Sequence, residues 1–180
     1  AEAKFIRALS HYHVVRIWAL PYGYTSDNSH LGIPLKVSAD QTPQMRATVA
    51  DVYAQIEQDL LDAEADLPAS NGIFANQMAA KALLAKVYLE MGDFANAKAK
   101  AAEVMNAGTY SLDPVLTNRF ADHANGNLPA EFIFTLVSTN ESSATDTIVD
   151  ERGMSFTWNY RSDDPNANPA LKASQALYVE

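Results

Sequence analysis

The amino-acid sequence predicts a mostly α fold whose C-terminal part is rich in loops and poor in strands. Four segments before Gly108 repeat apolar residues at intervals of three or four, which is the spacing of one helix face. A two-residue break, Gly92-Asp93, separates the third segment from the fourth and predicts a helical hairpin. After Gly108 the helical spacing stops, and turn dipeptides such as Asp113-Pro114 replace it.

The first helix is predicted over residues 2–18. Its apolar face is formed by Phe5, Leu9, Tyr12, Val15 and Trp18. This spacing assigns Trp18 to the core. Pro21 and Gly23 follow the helix and predict that the chain leaves it there.

A polar segment rich in Gly, Pro, Ser and Asn runs from residue 21 to about residue 47, interrupted only by apolar residues 31–35. A segment of this length without a periodic pattern is usually functional or packs over a neighbouring element. The second helix is predicted to begin after Thr48 and to end at Pro68. Its polar face, which we expect to be solvated, carries Asp51, Glu57, Asp59, Asp62, Glu64 and Asp66.

The third and fourth helices are predicted to form an antiparallel hairpin. Asn76 is a candidate N-cap of the third helix. Gly92 suits the left-handed position after that helix, and Asp93 suits the N-cap of the next. Alanine occupies the positions where the two helix axes must approach closely, and Gly108 ends the fourth helix.

Beyond the hairpin, only residues 132–137 have the pattern of a strand, and residues 138–169 are polar and aperiodic. About 70 residues with a single strand cannot build a core of their own. We therefore expect residues 111–180 to form a loop-rich ligand-face segment packed on a helical scaffold of residues 1–110, within one domain. The chain begins without Met inside a helical pattern, so we expect it to be incomplete at both ends.

Composition excludes several kinds of site. The 180-residue chain has no cysteine, which rules out disulfides and thiolate chemistry, and a net charge of −9 disfavours nucleic-acid binding. His11 and His13 face different sides of a helix, so we expect no metal site and no cofactor. Residues 163–168 offer oxygen ligands but lack the glycine and distal Glu of an EF-hand, and whether they hold Ca²⁺ stays open. No serine-hydrolase elbow, phosphate loop or zinc-protease motif is present, so no enzyme activity is predicted.

The hairpin sequence resembles a tetratricopeptide repeat, through Leu84, Ala85, Tyr88, Gly92-Asp93-Phe94 and Ala97. Five segments together resemble the SusD/RagB-like nutrient-binding lipoproteins of Bacteroidota outer membranes. They are residues 1–9 (AEAKFIRAL), 31–35 (LGIPL), 48–53 (TVADVY), 79–89 (AAKALLAKVYL) and 131–134 (EFIF). Because their order and spacing match the family from residue 1 to residue 134, this resemblance is more specific than the hairpin alone.

The family resemblance implies a scaffold of irregular tetratricopeptide repeats with a loop-rich ligand face. It also implies a receptor that captures oligosaccharides or other oligomeric nutrients for a SusC-like TonB-dependent transporter. The location implied is the outer membrane surface, through a lipid anchor outside this sequence. A generic tetratricopeptide module that binds other proteins is the alternative function.

Candidate ligand-binding residues occur in two aperiodic segments. Sugar binding needs flat aromatic faces and planar polar groups, and Trp158, Asn159, Tyr160 and Arg161 supply both within one loop. Packing of this loop against the scaffold explains the same aromatics equally well. Tyr22 and Tyr24 form a second candidate loop, with the alternative that they simply hold the end of the first helix in place.

Overall fold

The computed structural model describes residues 1–39, 42–114 and 130–136, and within them the chain is mostly helical. In chain order the elements are α1 (Glu2–Trp18), β1 (Leu31–Pro34), β2 (Arg46–Thr48), α2 (Val49–Asp66), α3 (Gln77–Met91) and α4 (Phe94–Asn106). The predicted fold class is confirmed, with all four helices where the apolar spacing placed them. These residues belong to one compact unit, residues 1–121 and 126–136. The division into a scaffold of residues 1–110 and a ligand face of residues 111–180 stays a prediction.

Side chains at the predicted caps fix the helix starts. Thr48, Asn76 and Asp93 each accept a hydrogen bond from the backbone N–H three residues further on, at 3.1, 2.9 and 3.1 Å. Gly92 takes the left-handed conformation, with φ 78°, between α3 and α4. Because only two residues join helices that pack on each other, α3 and α4 run antiparallel, as the sequence predicts.

The helices pack in chain order, α1 on α2, α2 on α3 and α3 on α4. The largest side chains that are fully buried between them include Phe5, Ile56, Leu60 and Leu84. Such close packing of apolar side chains is the main source of stability in a helical fold. None of the helices that the structure describes combines the length and the apolarity needed to cross a membrane.

Trp18 lies outside the core, so its assignment to the core is wrong. Its side chain is 72% exposed, whereas Ala19 is half-buried and packs against the core. The buried positions of α1 recur at alternating intervals of three and four, from Phe5 through Ala8, Tyr12 and Val15. Continued by one step, that spacing reaches residue 19 instead of residue 18.

Asp59 is buried, which corrects the prediction that the whole acidic face of α2 is solvated. Its side chain is 1% exposed and accepts two hydrogen bonds from Arg7 of α1, with Nε at 2.7 Å and Nη2 at 2.5 Å. Gln55 donates a third at 3.0 Å. Since Asp59 lies three residues after Ile56, it shares the inward stripe of α2, and a paired carboxylate is tolerated there.

The connecting segment, residues 19–48, contains two short strands that the sequence did not predict. β1 and β2 pair antiparallel, with an irregular register between Leu31 and Pro34. Gly32 sits in this irregular part, where an added Cβ would meet the Val52 side chain at 3.0 Å and two backbone oxygens at 3.1 Å. Arg46 donates to the carbonyl oxygens of Gly32 and Leu31, at 2.7 and 3.0 Å, and so holds the two strands together.

The predicted strand over residues 132–137 is wrong for the part that the structure describes. Residues 130–136 form a turn and an irregular stretch. Ile133 and Phe134 pack against the helical core, and the Phe134 ring meets Phe5 edge-on at 5.0 Å. The apolar residues of this stretch are therefore explained by contact with helices, and not by pairing with a strand.

Candidate functional site

The aromatic loop, residues 19–30, follows α1 and contains the candidate residues Tyr22 and Tyr24. Its turns are fixed by backbone hydrogen bonds from Tyr24 to Pro21, at 3.1 Å, and from Asn28 to Thr25, at 3.1 Å. Asn28 is 8% exposed and has φ 54°, a left-handed conformation that asparagine adopts more readily than most residues. The loop is therefore ordered by its own sequence.

Asn28 also anchors the aromatic loop to the rest of the fold. Its side-chain oxygen accepts the Gly23 N–H at 2.5 Å. Its backbone carbonyl accepts the Ala50 N–H at 3.0 Å, in the first turn of α2. One buried asparagine thus joins the start of the loop to the start of α2.

His30 closes the other end of the loop. Its Nε2 lies 3.3 Å from the Leu20 carbonyl, which can only accept, so we assign the proton to Nε2. Nδ1 then accepts the Thr25 hydroxyl at 2.9 Å. The Tyr24 ring meets the imidazole edge-on at 5.5 Å. Tyr24 is held on one side by His30, and the residue as a whole is 63% exposed.

Tyr22 lies differently from Tyr24. It is half-buried, and its ring packs edge-on against Tyr53 of α2 at 4.9 Å. The two rings border a cleft of about 230 Å³, the Tyr22 cleft, which Val15, Arg16, Leu20 and Glu90 also line. Tyr22 thus both holds the end of α1 and contributes an aromatic wall to a cleft.

Glu90 at the Tyr22 cleft gathers three donors from two other helices. It accepts the Tyr12 hydroxyl at 2.8 Å, the Tyr53 hydroxyl at 3.0 Å and the Arg16 Nε at 2.8 Å. Burial, and after it the hydrogen bond to Glu90, raises the pKa of the Tyr12 phenol above its ordinary value. For Tyr53, burial and then the charge of Glu90 raise the pKa. Both phenols therefore remain protonated and donate to the carboxylate at neutral pH.

The Tyr22 cleft is equipped for binding through aromatic faces and hydrogen bonds. The Arg16 side chain is 48% exposed, so guanidinium donors that Glu90 does not engage remain accessible. Arg16 also lies over the Tyr12 ring, with Cζ 5.0 Å from the ring centre. Within the described ranges, no group of three or more His, Asp and Glu side chains could hold a metal ion.

The other candidate residues, Trp158, Asn159, Tyr160 and Arg161, lie outside the residues that the structure describes, as do residues 163–168. Glu90 and Tyr53 were not predicted as part of a cleft. Tyr12 and Arg16 are four residues apart on α1 and therefore place two hydrogen-bond donors on one face, which indicates that an acceptor lies opposite them.

Comparison with protein families gives a match over residues 1–89 to the SusD-like_3 family, described as starch-binding and associating with the outer membrane. No curated protein matches the chain. Among solved structures, a SusD superfamily protein from Bacteroides thetaiotaomicron is 33% identical, with a TM-score of 0.63 over 77% of this chain and 30% of that one.

Two further solved structures are similar. A SusD superfamily protein from Bacteroides vulgatus is 26% identical, with a TM-score of 0.64 over 79% of this chain and 33% of its own. A laminarin-binding SusD-like protein is 30% identical, with a TM-score of 0.51 over 66% of this chain and 26% of its own. The chain spans at most about a third of the length of these three structures.

Proposed function

Because the chain is SusD-like in its sequence over residues 1–89 and in its fold, we propose that it belongs to a receptor that captures oligosaccharides at the outer membrane. The receptor binds its ligand without cleaving it and delivers it to a SusC-like TonB-dependent transporter. The observation that carries the proposal is the match to a family described as starch-binding and associating with the outer membrane. The laminarin-binding relative points to glucans as the first ligands to test.

The geometry of the aromatic loop supports glycan capture. Tyr24 is 63% exposed and offers a flat face to the C–H side of a pyranose ring. The hydrogen bonds of Asn28 and His30 hold this loop before any ligand arrives. A tetratricopeptide module that binds proteins would present its ligand-binding side chains from the helices instead, and here the presented aromatic Tyr24 belongs to a loop.

We assign the main stacking platform to Trp158, with Asn159, Tyr160 and Arg161 supplying groups for sugar hydroxyls. The assignment rests on the sequence, since these residues combine aromatic and planar polar side chains in an aperiodic segment. Tyr22 and Tyr24 contribute a second contact region. The aspartate and asparagine oxygens of residues 163–168 are left without a role in this proposal.

Isothermal titration calorimetry with laminarihexaose and maltohexaose tests the proposal on the 180-residue chain. Trp158→Ala is expected to weaken binding by roughly 1–3 kcal/mol, about tenfold or more, and to leave the melting temperature unchanged. Tyr24→Ala is expected to weaken binding by about fivefold, because one stacking face is lost.

Two results would contradict these assignments. If Trp158→Ala lowers stability by roughly 3–5 kcal/mol while the folded fraction binds normally, Trp158 packs in the fold and is no platform. If the unmodified chain binds neither glucan nor any other oligosaccharide of a glycan array, the receptor function itself is wrong. Phe94→Ala is the matched control, since Phe94 is an aromatic that is 68% exposed at the start of α4.

The transporter partnership needs a separate experiment. A tagged form of the chain should co-purify with a SusC-like transporter from detergent-solubilised outer membranes, and mass spectrometry identifies the partner. Recovery of soluble proteins alone would favour the protein-interaction module and count against the transporter.

A further inference from the structure

A second and larger cleft lies on the α2–α3 side of the fold. The Phe74 cleft, of about 340 Å³, is bordered by the loop that joins α2 to α3, by residues 109–110 and by residues 130–135. Ligand pockets in proteins usually measure about 300–1,000 Å³, so this cleft falls within that range and the Tyr22 cleft falls below it. The two clefts share no described lining residue.

One wall of the Phe74 cleft is apolar and held in place. Phe74 is 60% exposed and Ile73 is 39% exposed. The Phe74 N–H donates to the Asn71 carbonyl at 3.0 Å, in a turn where Gly72 has φ 59°. The Asn71 amide donates to the Glu2 carboxylate at 2.6 Å, which ties the turn to α1. The exposed ring is therefore presented by a fixed turn.

Hydrogen-bonding groups stand around the apolar wall. The Asn76 side chain, 9% exposed, donates to the Tyr110 hydroxyl oxygen at 3.0 Å and caps α3 with its own oxygen. Because that phenol oxygen accepts from Asn76, its own proton is available to a ligand. Ser70, Thr109 and Thr135 add hydroxyl groups to the lining.

The described lining of the Phe74 cleft contains no charged side chain, and this restricts the class of ligand that the cleft can bind. Among the described residues that line it, none is Asp, Glu, Lys, Arg or His, although the chain as a whole carries a net charge of −9. A charged ligand would be desolvated there without a counter-charge. A neutral molecule with one apolar face and many hydroxyl groups fits the lining, and a pyranose ring has this chemistry.

We propose that the Phe74 cleft is a carbohydrate-binding site that takes one or two pyranose rings of a neutral glycan. The Phe74 ring stacks on the C–H face of the sugar, and the Tyr110 hydroxyl donates to a ring substituent. The proposal rests on the proposed function for the ligand class and assigns the binding to residues other than Tyr22, Tyr24 and residues 158–161. The receptor then holds a glycan chain at more than one point.

NMR spectroscopy of the 180-residue chain tests the site directly. Methyl signals of Ile73 and Thr109 are followed during titration with laminaritriose and with maltotriose. Mannitol serves as the control ligand, since it has hydroxyl groups without a ring face. We expect at least one trisaccharide to shift both methyl signals to saturation and mannitol to leave them unchanged.

Two substitutions check the roles of the side chains. Phe74→Ala is expected to weaken the binding that these methyl signals report by about fivefold to tenfold. Tyr110→Phe, which keeps the ring and removes the hydroxyl, is expected to weaken it by about threefold. Phe94→Ala is again the matched control and is expected to leave the affinity within about twofold, because Phe94 is similarly exposed, at 68% against 60% for Phe74, and does not line the cleft.

The outcomes separate this proposal from the receptor function. Binding by calorimetry without movement of the Ile73 and Thr109 signals overturns the Phe74 site and leaves the receptor function intact. Equal shifts with mannitol, or equal losses in Phe74→Ala and Phe94→Ala, overturn recognition by ring stacking at this cleft. Absence of glycan binding by both methods overturns both proposals.

Discussion

The α3–α4 hairpin and the connecting segment are held in place by different kinds of contact. In the hairpin, Leu84 and Val87 are fully buried, and an added Cβ at Gly92 would meet nothing within 4 Å. In the connecting segment, arginine side chains hold backbone carbonyls, Arg46 at β1 and Arg7 at residue 37. The hairpin is stabilised mainly by apolar side chains that lie close together in sequence. In the connecting segment, arginine side chains contribute as well, through hydrogen bonds to backbone carbonyls 14 and 30 residues away.

This difference determines which substitutions should have local effects and which should have global effects. A residue in the hairpin core contributes to the stability of the whole helical unit, because α3 packs on both α2 and α4. A polar contact in the connecting segment mainly fixes the loop that carries Tyr22 and Tyr24. A substitution in the hairpin core should therefore promote unfolding of the whole helical unit, whereas a substitution in the connecting segment should mainly promote opening of that segment.

Leu84→Asp should break the hairpin and have the largest effect. Leu84 is fully buried, so the change removes a packed side chain and places a carboxylate in its position. We expect a loss of at least about 5 kcal/mol in the free energy of unfolding, measured by circular dichroism in urea. Leu89→Asp on the same helix is the control, since Leu89 is 58% exposed and should tolerate the charge. Equal stability of the two variants would disprove the packing.

Arg7→Met should have the next largest effect, because it leaves the Asp59 carboxylate buried and unpaired. Removing one member of a buried pair costs about 3–5 kcal/mol, and we expect about 3 kcal/mol here because the Arg7 side chain is 29% exposed. Hydrogen exchange should also become faster around residue 37, whose carbonyl accepts from Arg7 at 2.8 Å.

A matched surface pair joins the same two helices and serves as the control for Arg7. Lys4 contacts Asp62 at 2.6 Å, with side chains 43% and 34% exposed. Lys4→Met is expected to leave the urea midpoint nearly unchanged, because exposed pairs contribute little. If Lys4→Met were as damaging as Arg7→Met, burial would not be the reason for the importance of Arg7.

Gly32→Ala should have a smaller effect, confined to the connecting segment. The added methyl group would press on Val52 and on two backbone oxygens, which cannot all move aside. We expect a loss of about 2 kcal/mol and faster exchange of the β1 and β2 amides. Gly92→Ala in the hairpin meets no atom, so its cost of about 1 kcal/mol comes from backbone conformation alone. If the β1 amides exchange more slowly in Gly32→Ala than in the unmodified chain, Gly32 does not approach Val52 and the two backbone oxygens closely.

The smallest effect concerns pH and His11, which lies beside the Arg7–Asp59 pair. Burial, the largest cause, lowers the pKa of His11 below its ordinary value of 6.5, and its buried Nδ1 has no hydrogen-bond partner within the described residues. The unfolded chain therefore binds a proton at a higher pH than the folded chain does. Stability is fully present above pH 6.5 and falls as the pH decreases through that value.

Substitution checks this pH dependence. His11→Asn should flatten the fall in melting temperature between pH 7 and pH 5.5, whereas His13→Asn, at an exposed position of the same helix, should leave it unchanged. If the melting temperature of His11→Asn still falls over this pH range, titratable groups other than His11 cause the pH dependence.

The hairpin was predictable from sequence because its determinants are local. Asn76, Gly92 and Asp93 each act within four residues of their own position, and the apolar spacing selects the buried face. The connecting segment was predicted only as a polar stretch, because the contact between Arg46 and Gly32 and the burial of Gly32 against Val52 depend on the tertiary fold. The burial of Asp59 was not predicted, because a charged side chain usually faces solvent and its pairing with Arg7 of α1 depends on the tertiary fold.

The candidate site was predictable in part for the same reason. Tyr22 and Tyr24 were selected as aromatics in an aperiodic segment, but the sequence does not distinguish the half-buried ring from the exposed one. Their difference depends on Tyr53 of α2 and on His30 at the end of the loop, six residues after Tyr24. The Phe74 cleft was not predicted at all, because its lining comes from three segments that are distant in sequence.

Glu90 has a consequence for the entropy of ligand binding. Its carboxylate joins Tyr12 of α1 and Tyr53 of α2 to α3, so the rotamers of both phenols are restricted when the helices pack. Tyr22 then rests on a tyrosine that has already lost its freedom. Ordering a flexible side chain on binding costs about 0.5–1.5 kcal/mol, and at the Tyr22 cleft this loss belongs to folding. A ligand that enters the cleft meets side chains that are already ordered. Less conformational entropy is therefore lost on binding, and the affinity is higher than it would be for a flexible wall.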